Sequence, residues 1–318
     1  MVKLNLDIPE SFFEGEERCG YYVSPEMKKV WAVLLDMLNE VARICNKHDI
    51  KWFADGGTML GAVRHGGFIP WDDDVDVRML RPDYDRFVEV AQNELEYPYF
   101  FQTEKTDPGS LRCHAQIRNC ETTGILKMDI DNLGDYNQGI FIDIFPWDNI
   151  NDDEELVKRQ IKETKLLKEK AKYSHYLYFE YWKETRKNIF KWTIFALKAW
   201  WKRHSPFIMM RWDSDFLRVD DVLSRYKYID TPQVGNISLF SYNKNWFGKR
   251  EDYDDVVYMS FEMLMIPVPK GYERALTSQY GDWKEYKMGS NVHGCIIFDV
   301  NRPYVAVLEE IKSRTSQS

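Results

Sequence analysis

Apolar residues recur at Val30, Leu34, Met37, Leu38, Val41, Ile44 and Cys45, the spacing of one helix face. Ser24-Pro25-Glu26 stands just ahead of them; serine caps a helix well and proline is tolerated at its first position. The pattern therefore predicts a helix from Ser24 to about His48. A short apolar run over 50–54 predicts a buried strand, Asp55-Gly56-Gly57-Thr58 a turn, and 58–65 a short helix. A second strand is expected over 75–80 and a helix from Arg81 to about Leu95, with further strands over 99–103, 113–119 and 140–145. Short strands alternating with helices give an α/β (α+β) class, a mixed sheet flanked by helices.

The pattern changes after Asp153. Lysine and glutamate intersperse to about Asn188, and no acidic residue occurs between Thr185 and Trp212. Mixed short elements return from 238 to 307. Three parts are expected: a core over 1–150, a helical, basic-aromatic insertion over 151–235, and a C-terminal part over 236–318 that completes the catalytic domain. With 318 residues the chain can bury a core without disulfides or metal staples. Its five cysteines include no C-x-x-C pair, which suits a reduced, cytoplasmic setting. Residues 1–17 carry no apolar stretch behind a basic start, so no signal peptide is expected. A formal charge of −8 argues against nucleic acid as a partner, because such affinity comes mostly from phosphate neutralisation.

The densest chemistry lies in Trp71-Asp72-Asp73-Asp74-Val75-Asp76. On a strand, Asp74 and Asp76 share a face about 7 Å apart, while Val75 and Val77 point to the core. Two like charges so placed repel unless a cation intervenes, and hard oxygens suit Mg²⁺ or Mn²⁺. A calcium loop is excluded: its sixth position needs glycine but holds Val77, and its twelfth holds Asp83 instead of glutamate. Asp143 is a lone charge in Ile140-Phe141-Ile142-Asp143-Ile144-Phe145, and buried charges need partners; a metal shared with Asp74 and Asp76 would be one. Gly56-Gly57-Thr58 sits between strand and helix, where the backbone can approach a phosphate and free helix N–H groups can bind it. It is not a Walker loop, since Ala62-Val63 stands where Lys-Ser/Thr is required.

The segment GGTMLGAVRHGGFIPWDDDVDVRMLRPDYDRF, Gly56 to Phe87, resembles the signature of the LicD family, which includes fukutin and fukutin-related protein. Residues 139–146 resemble that family's third-carboxylate strand. Val268-Pro269-Lys270-Gly271-Tyr272 and Tyr280-Gly281-Asp282-Trp283 resemble its closing motif, although Trp-Lys-Glu-Tyr stands where the family often has methionine and a proline pair. The resemblance implies a nucleotidyltransferase fold and transfer of a phospho-alcohol from a CDP-activated donor to a glycan hydroxyl, in the first place phosphocholine from CDP-choline, with a cell-surface glycan such as teichoic acid or lipopolysaccharide as acceptor. In that scheme Asp74, Asp76 and Asp143 hold the metal, Gly56, Gly57 and Thr58 seat a phosphate, and Arg64 and Arg81 clamp phosphates with their planar guanidinium groups. Asp72, Asp73 and His65 remain alternative bases for the acceptor hydroxyl.

The segment 187–203, KNIFKWTIFALKAWWKR, adds a surface question. At helical spacing Lys187, Lys191, Lys198 and Lys202 fall within an arc of about 60°, and most of the remaining circumference is apolar. This pattern suits a helix lying in an anionic membrane interface, on the inner face of the cell membrane beside a lipid-linked glycan acceptor; it equally suits a helix packed in a core or dimer interface. Two functional alternatives stand beside the phosphotransferase: a nucleotidyltransferase that attaches the NMP and releases pyrophosphate, and a non-catalytic glycan-binding protein using its aromatics.

Overall fold

The computed structural model describes residues 2–126, 136–176, 190, 193–194, 197, 212–237, 244–288 and 296–316. A hairpin of β1 (Glu16–Arg18) and β2 (Tyr21–Val23) leads into α1 (Pro25–His48). Then come β3 (Phe53–Ala54), α2 (Gly56–His65), β4 (Asp76–Leu80), α3 (Arg81–Glu94), β5 (Tyr99–Gln102), β6 (Ala115–Asn119), β7 (Thr123–Leu126) and the long β8 (Ile140–Ile150). Helices α4 (Glu154–Tyr176) and α5 (Trp212–Leu223) follow, with β9 (Gln233–Gly235) and β10 (Phe247–Lys249). The chain closes with a β11–β12 hairpin (Val256–Phe261 and Leu264–Pro269), α6 (Tyr272–Tyr280), β13 (Ile296–Asp299) and α7 (Tyr304–Ser316).

The fold is mixed α/β. In the central sheet β10, β9, β8, β4 and β3 lie in that order, and β6 joins β8 to β5. β4 and β8 run parallel, with Asp76 opposite Asp143; β6 and β8 run antiparallel, with Gln116 opposite the same Asp143. Asp143 thus sits between Gln116 on one neighbour and Asp76 on the other.

Helix α1 is the spine of the core. Ser24 Oγ accepts from Met27 N–H at its start, and Val30, Trp31, Leu34, Met37, Leu38, Val41 and Ile44 are all buried, each worth about 1.5–3 kcal/mol for a side chain of that size. Its outer side is covered by the N-terminal segment, tied down where Asp36 accepts from Asn5 N–H at 2.8 Å, Leu6 N–H at 2.7 Å and Tyr99 O–H at 2.5 Å. A second core joins α4 and α5 through Ile150, Val157, Ile161, Val219, Val222 and Leu223. Most of 187–203 lies outside the described residues; Phe190, Thr193, Ile194 and Leu197 are helical and exposed.

Two expectations change locally. Helix α2 begins at Gly56, not Thr58, because Asp55 caps it with a bond from Gly56 N–H to Oδ1 at 2.6 Å. β4 begins at Asp76, so Asp74 precedes the strand and its placement does not come from strand alternation. The acidic turn is instead fastened by Trp31 Nε1–H donating to Asp72 O at 2.9 Å and by Asp72 N–H donating to Ile69 O at 2.9 Å. Trp31 is itself held by parallel stacking on Phe68, 4.5 Å between ring centroids.

Candidate functional site

A cavity of about 650 Å³ opens where α2, the acidic turn and the sheet meet the C-terminal segment. Its floor carries five carboxylates, Asp55, Asp72, Asp74, Asp76 and Asp143, and its basic lining residues are Arg64 and Lys287. The floor is set by bonds from main-chain N–H groups. Asp76 N–H donates to Thr58 Oγ1 at 2.9 Å, Asp55 N–H donates to Asp76 O at 2.9 Å, and Asp143 N–H donates to Val75 O at 3.0 Å. Carboxylate oxygens of Asp72, Asp73 and Asp74 come within 4.8 Å of one another, and Asp76 and Asp143 lie alongside on neighbouring strands.

The acids are not electrostatically alike. Burial, and then the Asp74 charge, push the Asp72 and Asp76 carboxyls well above the usual range. Burial would also raise Asp143, but the His114 imidazole and the Gln116 amide outweigh it and hold that carboxyl at about 2. Asp55 is neutralised from behind. Arg78, fully buried, donates Nη2–H to Asp55 Oδ1 and Nη1–H to Tyr253 Oη at 2.9 Å, with its guanidinium 4.0 Å from the Trp147 ring centroid. The floor therefore holds more carboxylate than the nearby cations balance, and its donors are hard oxygens, which fits a small divalent cation.

Glycine is needed at the start of α2. Gly56 has φ +48°, and a Cβ there would lie 3.2 Å from Asp76 Oδ2; a Cβ on Gly57 would lie 2.5 Å from Asp72 Oδ2. The two glycines keep open the space between the helix N-terminus, with its free N–H groups and positive dipole end, and the acids.

Of the eleven residues singled out in the sequence, Gly56, Gly57, Asp72, Asp74, Asp76, Asp143 and Arg64 line this cavity. The other four do not. Arg81 is fully buried and engaged: Nε–H and Nη2–H donate to the two Asp148 oxygens at 2.6 and 3.0 Å, and Nη1–H donates to Asp220 at 2.9 Å. It fastens α5 to the end of β8 and is no phosphate clamp. Thr58 is buried, its hydroxyl oxygen accepting from Asp76 N–H, so it positions an acid. Asp73 is buried and does not line the cavity, although its carboxylate stays within 4.8 Å of those of Asp72 and Asp74. His65 packs against Tyr286, centroids 5.1 Å apart, and burial followed by the Arg64 and Arg18 charges holds its imidazole down at about 4. Arg64 reaches the cavity but is half spent. Its Nη1–H groups donate to Trp283 O at 2.9 Å and Glu285 O at 3.2 Å, and its guanidinium lies 5.1 Å from the Tyr286 ring.

That contact brings down a roof. Tyr280, Asp282, Trp283, Glu285 and Lys287, with Trp246, close the cavity opposite the acids. Gly281, at φ +68° and ψ −122°, makes the turn that ends α6, a conformation open essentially to glycine. Trp246, Asn236, Phe145, His114 and Gln116 were not singled out in the sequence. The last two had a signal: polar residues alternate at His114, Gln116 and Arg118 along a strand that is otherwise core.

Residues 49–160 match the family profile described as "LicD/FKTN/FKRP, nucleotidyltransferase domain". The "Lipopolysaccharide cholinephosphotransferase LicD" of Haemophilus influenzae is 27% identical over 254 residues, 79% of this chain and 88% of that protein. The human "Ribitol 5-phosphate transferase FKRP" is 40% identical over 53 residues, 15% of this chain and 11% of that one. An uncharacterised protein of Rickettsia typhi is 37% identical over 72 residues, 23% of each chain.

Proposed function

We propose, from the LicD-type domain as premise, that the chain is a phosphotransferase that moves phosphocholine from CDP-choline to a hydroxyl of a cell-surface glycan and releases CMP. The coarser reading, phospho-alcohol transfer, is common to the names of both characterised relatives. The observation that carries it is the meeting of Asp72, Asp74, Asp76 and Asp143 with the glycine-rich start of α2 in one cavity.

Asp74, Asp76 and Asp143 would hold Mg²⁺ or Mn²⁺, which when bound neutralises charge on the donor diphosphate. The α2 N-terminus at Gly56 and Gly57 seats the diphosphate. Asp72 takes the proton of the acceptor hydroxyl, because it alone of the three candidate bases lines the cavity. The acceptor oxygen forms its bond to the phosphorus that bears choline, the bond from that phosphorus to the CMP oxygen breaks, and CMP leaves with the electron pair. Tyr280, Trp283 and Trp246 exclude water above.

This reading sets the enzyme in the cytoplasm, docked on the inner membrane face through 187–203. Among the described residues no helix is long and apolar enough to cross a membrane, while Phe190, Ile194 and Leu197 expose apolar side chains (79%, 57% and 67%) at one-face helical spacing. Protein floated with anionic vesicles at low salt should be released by Lys191→Glu with Lys198→Glu; failure of the unmodified chain to float sinks the docking.

The enzymatic test incubates the chain with Mg²⁺, acceptor glycan and CDP-choline, CDP-ribitol or CDP-glycerol. CMP is expected from CDP-choline, with the glycan gaining phosphocholine. Pyrophosphate released from a nucleoside triphosphate, without CMP from any of the three donors, would replace this reading with nucleotidyl transfer.

A further inference from the structure

Asp143 is gripped on one oxygen only. His114 Nε2 lies 3.0 Å from its Oδ1, and Gln116 donates Nε2–H to the same Oδ1. Oδ2 accepts no hydrogen bond among the described residues. The orientation of the Gln116 amide is fixed from behind: Arg118, fully buried, donates Nη2–H to Gln116 Oε1 at 2.7 Å and Nε–H at 3.2 Å. A guanidinium has only donors, so Oε1 must face Arg118 and the amide N–H₂ must face Asp143. Arg118 is held in turn by Gln102 Oε1 at 2.5 Å and Gly139 O at 2.8 Å. The His114 ring is set by Phe145, 4.5 Å between centroids.

The sheet register explains why both donors reach one atom. Gln116 is the cross-strand partner of Asp143 on β6, and His114 lies two residues earlier, on the same face. Asp76 is the partner on the other side, on β4. The donors therefore occupy the β6 side of the carboxylate.

We propose that His114 and Gln116, backed by Arg118, are positioning residues that reserve Asp143 Oδ2 as a single-oxygen ligand for the divalent cation of the site. This rests on the metal reading above. An unclamped aspartate can rotate and offer either or both oxygens; a clamped one offers one oxygen in one place, as outer-shell partners of metal ligands do.

The test measures Mn²⁺ binding by electron paramagnetic resonance on the intact chain, without donor or acceptor. Gln116→Met and His114→Leu keep much of the volume and remove the donor; His114→Gln returns an N–H near the Nε2 position. Both removal variants should bind Mn²⁺ about 10- to 100-fold more weakly, and His114→Gln should recover most of the loss. Turnover of the removal variants should rise towards the unmodified value as Mn²⁺ is raised, with the KM for donor little changed. His114 borders a second cavity of about 510 Å³, where a changed side chain has room; melting curves check that each variant folds, and should Gln116→Met not fold, the His114 pair decides alone. Unmodified protein that binds no Mn²⁺ overturns the metal reading and this inference with it. Unmodified protein that binds, with removal variants that bind equally well, overturns the clamp alone.

Discussion

The floor of the cavity and its roof are held in different ways. The floor comes from 55–76 and from Asp143, and hydrogen bonds to the main chain join its pieces: Asp55 N–H to Asp76 O, Asp143 N–H to Val75 O, and Asp76 N–H to the Thr58 hydroxyl. The backbone beneath Asp76 and Asp143 can move only if the sheet does. The roof comes from 280–287 and Trp246, more than 200 positions after α2 for most of its length; it is anchored where Trp283 enters the core and donates to Thr277, and it meets α2 mainly through side chains, among them Arg64 and Tyr286. A site built this way separates chemistry, which rests on carboxylates set by the sheet and its preceding turn, from enclosure, which rests on side chains of a distant segment.

That contrast can be broken from the floor. Asp76→Asn keeps the shape and removes one charge; turnover should fall by roughly 10²–10³-fold or more. Metal-free melting temperature should hold or rise, because the variant relieves repulsion with Asp74 and Asp143. Near-normal turnover at saturating Mg²⁺ would remove Asp76 from the site. Gly57→Ala is next. Its Cβ would press on Asp72 Oδ2 at 2.5 Å, a flexible side-chain end that can yield, so kcat should drop by about 10–100-fold with the melting curve little altered. A large fall in melting temperature with kcat retained would make Gly57 a packing residue only.

The roof should respond more gently. Arg64→Gln loses the part-buried bond to Trp283 O and the exposed one to Glu285 O, together worth about 1–1.5 kcal/mol. The donor KM should rise about tenfold, the same energy expressed as an equilibrium, and kcat should change less. A fall in kcat as deep as that of Asp76→Asn would place Arg64 on the reacting phosphate. Smallest of all is His65→Gln. With the imidazole held at about 4, the folded chain keeps His65 neutral while the unfolded chain protonates it below about 6.5. The unmodified protein thus loses stability as pH falls from about 6.5 to 4, and the variant should lose less over that window. The pH–rate profile near neutrality should not move; a shifted limb would restore His65 as a base.

Much of the floor could be read from the chain because its chemistry is local. Acids interleaved with core valines betray themselves, and Val75 and Val77 are indeed fully buried. A two-glycine turn before a helix has few other uses. The mixed fold followed from helical and alternating periods. Local pattern misleads where tertiary contacts override it. Arg81 looks like Arg64 in sequence, but the chain turns at Leu80 into α3 and carries it to Asp148 and Asp220, which are 67 and 139 positions away. Asp74 shares the pocket with Asp76 because Trp31 pins the turn, a contact no periodicity encodes. His114 and Gln116 were visible as polar residues on a buried strand, but their target on β8 depends on register.

The latch between α2 and the roof has a consequence for how such enzymes diverge. Arg64 grips the carbonyl oxygens of residues 283 and 285, and every amino acid carries that group. The exposed side chain at 285 can drift without loosening the closure, while Trp283 is kept by its own burial in the core, so the outer part of the upper wall can be retooled over the same latch. Tyr280-Gly281-Asp282 followed here by Trp-Lys-Glu-Tyr is one wording of a wall whose grammar lies in the backbone.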